Sequence, residues 1–578
     1  MLQLIRNAYR LLSDLHKRKI VPLLLQLTLG SALDFFSLAS FLPVILLIIK
    51  PQQIAPYPWL NNLYNITGFD DPVYVAVSLT FFALLIILIK TQVQVWITYR
   101  KAAYAYSAAA DLASRAMSHH FNISYVQFTQ TDYAREINRI ANIPLIFANN
   151  IIIPIGTIIS ESIISLLLLI SLAWYDYRIF AFLFILLGPV TLLYRSKRKK
   201  INTISQQLKT TIPLLLKYTL QAVESLLEIR IHRKENFFKS RFNQTYFQLE
   251  KTLSTDHTNS TSALRATELI ATLCIGALLL YALLSRQSYP DTILLLTLYA
   301  GASFRIIPSV NRIFSAILHI RTNAYVVHEL NNSVAGLDEI FEDKEEALPF
   351  TNTIEIRSLR FSYAGGPVIF KDASLNIAKH EKILITGKSG SGKTSLLLIL
   401  LRFINELSGE IYIDGQKLET ENTARWRKLF GYVSQHPAIL DASILENIAF
   451  GIPHELINQN LVIKILTDLD LQNWINGLPD GLQTIPGEKG IKISGGQRQR
   501  LAIARALYQG AEILLLDEIT NQLDKETRKE IILTLNKGIL QNKSIIMVSH
   551  HAEETDVFDS IYELLDGQFV KTSQNKKQ

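Results

Sequence analysis

The sequence predicts a membrane all-α domain of six long transmembrane helices followed by an α/β domain. The first observation is composition: the 578 residues are 49% hydrophobic, with a mean hydropathy of +0.20. Such a chain exceeds one domain and is too apolar for an ordinary soluble protein. The second is a change of character near residue 345, where long apolar stretches give way to short β-rich runs separated by Gly and Asp.

Six apolar stretches in the first half predict the membrane domain, because about twenty apolar residues cross a bilayer as a helix. The stretches are residues 20–49, 72–99, 142–174, 179–194, 266–285 and 291–318. The fourth is short and crosses only if its flanks contribute. An even number of crossings places both chain ends on one side of the membrane.

The basic residues predict which side that is. Lys and Arg exceed Asp and Glu by 58 to 50, a net charge of +8, and "RSKRKK" at 195–200 carries part of the excess. The loop at 51–71 contains no Lys or Arg. Since such residues collect on the cytoplasmic side, we expect a plasma (inner) membrane protein with a cytoplasmic α/β domain. The charge then reflects topology, and no nucleic-acid partner is expected.

Other segments complete the organisation. Residues 1–19 are expected to form an amphipathic elbow helix at the interface, a mitochondrial presequence being the weaker alternative. The membrane domain spans 20–318, a linker 319–350 and the α/β domain 351–578. Within the membrane domain, "YVQFTQTDYAREI" (125–137) and "EIRIHRKENFF" (228–238) lie near the middles of long polar helical stretches. Each is placed to touch a cytoplasmic domain. The single cysteine, Cys274, excludes a disulfide within the chain.

The segment "ITGKSGSGKTS" (385–395) has the pattern of a phosphate-binding loop. A buried-type strand, Lys382 to Thr386, leads directly into it. Its glycines let backbone N–H groups close around phosphates, and the following helix adds its positive end. Lys393 is expected to meet the β- and γ-phosphates, and Thr394 to bind Mg²⁺. The pattern therefore predicts ATP and Mg²⁺ as cofactors.

Two later strands supply the remaining catalytic groups. "EILLLDE" (512–518) is an apolar run ending in two acids, as expected of a central strand that delivers carboxylates at its C-terminal edge. Asp517 can hold hydrated Mg²⁺, and Glu518 can orient or deprotonate the attacking water. "SIIMVSH" (544–550) ends at His550, which is then beside the same γ-phosphate.

Between these strands, "ISGGQRQRLAIARAL" (493–507) combines a Ser-Gly-Gly turn with a helix whose apolar face is formed by Leu501, Ala504 and Leu507. This segment resembles the signature of the ATP-binding cassette (ABC) family. Tyr363 of "FSY", Gln435 of "VSQ" and "TIPGEKG" before the signature match further motifs of that family. The resemblance covers the whole C-terminal domain.

The resemblance implies a role for each matched residue. Tyr363 should stack on adenine, and Gln435 should sense Mg²⁺ and the membrane domain. The Ser-Gly-Gly turn should contact the γ-phosphate held by Lys393 of the partner subunit. Two domains then enclose two ATP molecules. Because this sequence has one such domain, it resembles a half-transporter that works as a dimer. The intact Glu518 and Ser-Gly-Gly favour a homodimer. A heterodimer with another half-transporter is the alternative.

The expected site residues form three groups. Hydrolysis is assigned to Glu518, His550 and Gln435, and Mg²⁺ binding to Thr394, Gln435 and Asp517. Nucleotide binding is assigned to Tyr363, Gly387, Ser389, Gly390, Ser391, Gly392, Lys393, Thr394, Ser395, Ser494, Gly495, Gly496, Gln497 and Asp524.

Two departures from the family pattern stand out. Ile493 precedes the signature serine where Leu is usual, and "TNQLD" (520–524) replaces the common Ser-Ala-Leu-Asp ending. Asn521 and Gln522 are polar replacements at the expected dimer seam. They bear on coupling between the two ATP sites rather than on hydrolysis itself.

Six spans ahead of one cassette resemble the type IV exporter fold, in which segments such as 125–137 and 228–238 are coupling helices. ATP would then drive export. Residues 17–51 and 224–242 resemble parts of lipid-linked oligosaccharide flippases, which makes such a lipid the favoured cargo. A multidrug, toxin or peptide exporter is the alternative. Glu518 argues against a channel or regulator without pumping.

The sixth span carries Arg305 and Arg312, seven residues apart and therefore about 20° apart around a helix. A charge at membrane depth turns toward a partner or a water-filled cavity. One interpretation pairs the arginines with Asp34, Glu161 or Glu268, or places them in the cytoplasmic part of the helix. The other makes them substrate contacts for an anionic group, such as a pyrophosphate-linked sugar lipid.

Overall fold

The computed structural model describes residues 1–49, 72–175, 187–284, 289–334, 346–487, 490–521, 523–550 and 555–574. The chain divides into two compact units. The first consists of residues 1–123 and 130–338, and the second of residues 124–129 and 339–578.

The first unit is helical throughout its described residues. Its α-helices are α1 (Leu2–Leu11), α2 (Asp14–Ala39), α3 (Leu42–Ile49), α4 (Pro72–Asn122), α6 (Tyr133–Ile137), α7 (Ile143–Phe147), α8 (Ile153–Tyr175), α9 (Leu187–Glu224), α10 (Leu226–Ile231), α11 (Glu235–Leu284), α12 (Tyr289–Thr322) and α13 (Ala324–Val334), while α5 (Tyr125–Gln130) falls largely in the second unit. Two single-turn π-helices, Asn138–Asn142 and Ala148–Ile152, flank α7.

Three helical stretches in the described part of the chain are long and apolar enough to cross a membrane: Asp14–Ile45, Val73–Asn122 and Tyr133–Ser171. Many of their large apolar side chains face outward; Phe81, Leu88 and Leu166 are 72%, 65% and 59% exposed. Outward apolar side chains are what hydrocarbon contact requires. The predicted fifth and sixth stretches lie in α11 and α12. Half of the fourth, residues 179–186, lies outside the described residues.

Two interruptions shape the N-terminal helices. The helix expected over residues 1–19 ends at Leu11, and α2 begins at Asp14 behind an extended Ser13. The first span is broken again after Ala39, and α3 starts at Leu42 with Pro43 as its second residue. Pro43 has no N–H to bond the Ala39 carbonyl four residues earlier, which favours a break here, whereas Pro22 is accommodated inside α2.

The second unit is α/β. Its strands are β1 (Thr353–Ser362), β2 (Val368–Ala378), β3 (Lys382–Thr386), β4 (Ser408–Ile413), β5 (Gln416–Lys417), β6 (Phe430–Val433), β7 (Ile513–Asp517), β8 (Ser544–Val548), β9 (Ser560–Leu565) and β10 (Gln568–Gln574). Its helices, after α5, are α14 (Lys393–Leu400), α15 (Thr423–Arg427), α16 (Ile444–Ile448), α17 (Gln459–Asp468), α18 (Gln472–Asn476), α19 (Gly495–Tyr508) and α20 (Lys525–Thr534).

The strands form two sheets. One is antiparallel, in the order β2-β1-β4-β5; the other has the order β10-β9-β3-β8-β7-β6 and is parallel from β9 to β6. Strands β3, β7 and β8 are almost wholly buried, which explains their continuous apolar runs. In the parallel register Ile385 lies beside Val548, and Val548 beside Asp517. The C-terminal ends of these strands therefore meet at one edge.

The two predicted coupling segments adopt short helices. In the first, residues 124–129 belong to the second unit, where the Tyr125 ring lies 6.0 Å from that of Phe403. Residues 130–137 stay in the first unit, and Asp132 caps α6 by accepting from the Ala134 N–H. The second segment, 228–238, covers the end of α10, whose Ile229 is buried, and the start of α11.

Candidate nucleotide site

The loop between β3 and α14 has the backbone that phosphate binding requires. Gly390 and Gly392 have backbone φ angles of +78° and +107°, which residues with a side chain rarely adopt. At Gly392 a Cβ atom would also lie 2.3 Å from Ile369 Cγ2. Only glycine fits there, and its conformation turns the loop into the first turn of α14. The loop's N–H groups are thereby available to an anion at a helix N-terminus.

Lys393 is the cation of this loop and is 4% exposed. Its Nζ donates to the carbonyl oxygens of Gly387 at 2.9 Å and Lys388 at 3.1 Å, and lies 3.8 Å from Glu518 Oε1. Burial lowers the pKa of Lys393, while Glu518 and Asp517 oppose that shift. A phosphate would compete for an ammonium now held by neutral carbonyls.

Thr394 and Asp517 meet at the same sheet edge. The Thr394 hydroxyl donates to Asp517 Oδ1 at 3.1 Å, and the Tyr432 hydroxyl donates to Oδ2 at 2.9 Å. Burial raises the pKa of Asp517 above its ordinary value, against the effect of these two hydrogen bonds. A buried carboxylate beside a hydroxyl is a donor set that suits Mg²⁺, whose charge would reverse that shift.

Glu518 follows β7 in a left-handed conformation, with φ of +50°. Such a conformation is costly for a non-glycine residue and is common where a side chain must be aimed. One carboxylate oxygen, Oε1, lies 2.6 Å from His550 Nε2. The other accepts a hydrogen bond from the Asn521 amide at 2.7 Å. The structure thus brings together Lys393, Glu518 and His550, three groups assigned from separate motifs.

One polar atom of the loop lacks a partner. Ser391 Oγ is buried and makes no hydrogen bond within the described residues. It lies close enough to Gly387 that a Cβ there would approach it to 2.9 Å. An unpaired hydroxyl at the mouth of a glycine loop fits a phosphate oxygen. Ser389 is exposed on the same loop.

Tyr363 and Gln435 occupy the flanks of this edge. The Tyr363 hydroxyl lies 3.1 Å from Ser395 Oγ, and its ring is 41% exposed, so a face is open for stacking. The Gln435 backbone carbonyl accepts from Gln499 of α19 at 2.8 Å, and its side chain is half-buried. The first contact connects the tyrosine to the phosphate loop, and the second connects β6 to the signature helix.

The signature turn begins α19 with a capping box. The Ser494 side chain accepts from the Gln497 N–H, and the Gln497 side chain accepts from the Ser494 N–H. Gly496 packs against α20, where a Cβ would lie 2.5 Å from Thr527 Cγ2. Gly495 is close to Leu523. Within the described residues, no hydrogen bond joins this turn to the phosphate loop of the same chain.

Asp524 caps α20 and does not point toward the Asp517 and Glu518 carboxylates. Its two oxygens accept from the Thr527 N–H and hydroxyl at 2.9 and 2.7 Å. The backbone hydrogen bond from Thr527 is the main reason that its pKa is lowered. Of the two unusual polar residues in this turn, Asn521 contacts Glu518, and Gln522 lies outside the described residues.

A second polar site lies in the first unit. Asp34 contacts Lys90 at 2.7 Å and Arg305 at 2.9 Å, and Glu161 contacts Arg312 at 2.7 Å and Arg305 at 3.4 Å. Both arginines are thus paired with two of the three expected acids; Glu268 instead pairs with Arg265. Lys101 donates to the Thr157 hydroxyl at 3.1 Å and borders the same cavity as these acids and arginines. The polar cluster is Asp34, Lys90, Lys101, Glu161, Arg305 and Arg312.

This polar cluster is not electrically neutral, because four basic groups face two carboxylates. Most of its members border a cavity of about 240 Å³. An apolar cavity of about 620 Å³ lies on the same helices: α2 with α3, α8 and α12. It is lined by residues that include Phe35, Leu38, Leu42, Leu168, Trp174 and Phe304.

Two contacts of the nucleotide site are not predictable from motifs. Tyr432 reaches Asp517 only because β6 is the parallel neighbour of β7, a strand order that no local pattern encodes. Asn521 reaches Glu518 through the turn after β7. Its only sequence signal is the replacement of a small residue by an amide.

Comparison with known proteins agrees with this geometry. Residues 370–521 match the family described as ABC transporter. An ATP-dependent lipid A-core flippase from Polaromonas sp. is 28% identical over 423 residues, covering 72% of this chain and 70% of that protein. A multidrug resistance ABC transporter ATP-binding and permease protein from Lactococcus lactis subsp. lactis is 31% identical over 254 residues, covering 43% of each. The structure of a bacterial Atm1-family ABC exporter with ATP bound aligns with a TM-score of 0.78 at 18% identity, over 96% of this chain and 94% of that one.

Proposed function

This chain is an ABC exporter half-transporter, and we propose that two copies move an anionic, lipid-linked amphiphile across the membrane at the expense of ATP. The favoured cargo is a lipid carrying a phosphate-linked oligosaccharide. The direction is from the cytoplasmic to the outer side. The protein would lie in the plasma (inner) membrane with its cassette in the cytoplasm, as the basic residues at 195–200 favour.

The observation that carries this proposal is the stacking of two unlike cavities on the same helices. On α8, Glu161 borders the polar cavity and Leu168 the apolar one, seven residues or about 10 Å along the helix. On α12 the order is reversed, from Gly301 at the apolar cavity to Arg312 at the polar one. An amphiphile with a charged head and a long apolar tail matches that succession.

Arg305 and Arg312 are the proposed head-group contacts. Arg305 is 15% exposed and bound between two acids, whereas the Arg312 side chain is 57% exposed with one acid contact. Arg312 therefore has guanidinium N–H groups free to meet a phosphate bidentately. The surplus of positive charge in the polar cluster supports an anionic ligand.

In hydrolysis, Mg²⁺ would be held by Thr394 and Asp517 with Gln435 nearby, and would neutralise charge on the phosphates. Lys393 and the loop N–H groups would bind the β- and γ-phosphates. Glu518 would orient or deprotonate the attacking water, and His550 would hold Glu518 on the γ-phosphate side. Tyr363 would stack on adenine.

Dimerisation is supported by the separation of the signature turn from the phosphate loop within one chain. The Ser494, Gly495 and Gly496 turn begins α19, and an ATP bound at a partner's phosphate loop would place its γ-phosphate at this helix N-terminus. We favour a homodimer, because this one chain has both halves of the composite site.

Reconstitution tests the proposed cargo. The purified protein in liposomes should show ATPase stimulation by a pyrophosphate-linked sugar lipid, and fluorescent analogues of that lipid should change leaflet only with ATP. Uncharged lipids of the same tail length are the control. Stimulation by amphipathic drugs alone would instead favour multidrug export, for which the 620 Å³ apolar cavity is the specific supporting feature.

A further inference from the structure

A third cavity, distinct from both cavities of the proposed transport path, lies between the first turns of α2 and the middle of α4. Its volume is about 290 Å³. The residues that matter are His16, Lys19, Gln26, Arg100, Tyr104 and Ser107, which we name the interfacial basic pocket. They contribute two permanent cations and no carboxylate.

The floor of the interfacial basic pocket is polar and fixed. His16 is 3% exposed, with Nδ1 2.8 Å from Ser13 Oγ and Nε2 3.2 Å from Ser107 Oγ. The Tyr104 hydroxyl donates to the His16 carbonyl at 3.2 Å. Gln26 Oε1 is buried without a hydrogen-bond partner in the described residues. This oxygen accepts hydrogen bonds, so it is satisfied by water or by an O–H or N–H group of a ligand.

The two cations are uncompensated. Within the described part of the chain, neither Lys19 nor Arg100 has an acid within ion-pair distance, whereas nearby Lys17 pairs with Asp14 at 2.9 Å. Arg100 is held over the Trp96 ring, 5.7 Å from its centroid. Stacking orders a guanidinium while leaving its N–H edge free. Two neighbouring cations with no counter-charge attract an anion.

The surroundings identify the kind of anion. Just beyond Lys19, α2 exposes Val21, Leu25 and Leu29 at 60–64%, and α4 exposes Trp96 and Tyr99 at 50% and 70%. Apolar side chains bordered by Trp and Tyr mark the level at which lipid head groups meet acyl chains. An anion bound here would have its attached chains running along this apolar surface.

We propose that the interfacial basic pocket binds the head group of an acidic phospholipid in the cytoplasmic leaflet, with Lys19 and Arg100 as ligands of its phosphate and Gln26 Oε1 as the acceptor for a head-group hydroxyl. The leaflet assignment rests on the proposed membrane orientation. That leaflet contains the acidic lipids, whose negative charge attracts Lys19 and Arg100, and Arg100 supplies bidentate phosphate geometry. This lipid is a resident of the outer surface of the helices rather than the transported cargo.

Native mass spectrometry of the full-length dimer tests the proposal. After delipidation and addition of phosphatidylglycerol or phosphatidylcholine, the wild type should retain about one phosphatidylglycerol per chain, with at least roughly tenfold preference over phosphatidylcholine. Lys19→Gln with Arg100→Gln should remove that preference. Lys19→Arg with Arg100→Lys should keep it, because the charges remain.

The matched control is Arg6→Gln with Arg10→Gln, which removes the same charge from exposed positions of α1 outside the pocket. It should retain the lipid. Equal retention by the Lys19 and Arg100 double variant, equal binding of phosphatidylcholine, or loss of lipid in the α1 control would overturn the proposal. Displacement by excess inorganic phosphate would show that the pocket serves free phosphate. A wild-type dimer that takes up no phosphatidylglycerol would mean that a second copy covers the pocket.

Discussion

The Glu518 side chain is held between His550 and Asn521, and its backbone has a left-handed conformation that few non-glycine residues adopt. We expect Glu518→Gln to bind ATP normally and to lose turnover by about 10²-fold or more, because only water activation is removed. ATPase rates and nucleotide binding measure the two effects separately. Glu512→Gln, the same change at the start of β7, is the control and should be near wild type. Turnover within a few-fold of wild type in Glu518→Gln would assign water activation to another residue.

Asn521 provides a sharper test of how Glu518 is aimed. Its amide donates to Glu518 Oε2 at 2.7 Å, and hydrogen bonds to charged groups contribute about 1.5–3 kcal/mol. Asn521→Ala should lower kcat by about tenfold with KM for ATP unchanged, because ATP contacts are untouched. Asn521→Asp should be worse, since it places a second carboxylate beside Glu518. An unchanged kcat in both variants would mean that His550 alone positions the glutamate.

At this scale, the motifs predicted which side chains meet but not all of their contacts. Lys393, Thr394 and Asp517 follow from a loop and a strand end whose local patterns dictate their direction. Tyr432 depends on the order of strands in the sheet, and Asn521 on the geometry of one turn. Those are consequences of tertiary folding, which residue spacing does not contain.

Among the elements, α10 shows how burial separates two isoleucines that look equivalent in sequence. Ile229 is 6% exposed, whereas Ile231 and Leu227 are 74% and 72% exposed. The exposed pair is four residues apart and forms one apolar face. If α10 docks on a cassette, this pair rather than Ile229 makes the contact.

Ile231→Asp should therefore leave the protein folded and its basal ATPase active while ATP-driven transport falls at least about tenfold. Thermal unfolding and transport in the same liposomes would be compared. Ile229→Asp is the contrasting variant: it buries an unpaired charge and should lower the melting temperature. Normal transport by Ile231→Asp would remove α10 as the coupling element.

Element boundaries were harder to predict than element types. Both predicted coupling segments are helical, yet the first is divided by Asp132, whose side chain caps a new helix, and residues 124–129 pack with the second unit through Tyr125. The break after Ala39 has a local cause in Pro43. The break at Ser13 has no such strong marker, which is why one helix was expected over residues 1–19.

For the whole molecule, the prediction of an exporter fold with an α/β cassette is confirmed by the alignment with the Atm1-family exporter. Apolar periodicity and the order of the motifs are enough to predict the fold class, because each domain class has its own hydrophobic pattern. Cargo is different. It depends on which charges pair inside the membrane domain, and the sequence leaves both interpretations of Arg305 and Arg312 open.

The structure is compatible with both acid pairing and substrate contact, since the arginines are paired with acids and also border the polar cavity. Arg305→Gln with Arg312→Gln should abolish stimulation by a pyrophosphate lipid while basal ATPase persists. However, removing one side of an ion pair leaves buried Asp34 and Glu161 without their guanidinium partners, which alone destabilises a protein. A defect in the double variant would therefore be ambiguous by itself.

A charge-balanced quadruple variant resolves this: Asp34→Asn and Glu161→Gln are added to the two arginine changes. It removes four charges without leaving those carboxylates unpaired. Lys90 loses its Asp34 partner, but the melting temperature should still be higher than that of the double variant. Stimulation by the anionic lipid should stay absent, because no guanidinium remains to bind phosphate. Arg265→Gln, at an exposed ion pair with Glu268, controls for charge loss elsewhere. If the folded quadruple variant still flips the lipid at the wild-type rate, the arginines serve only to neutralise acids, and they do not recognise the head group.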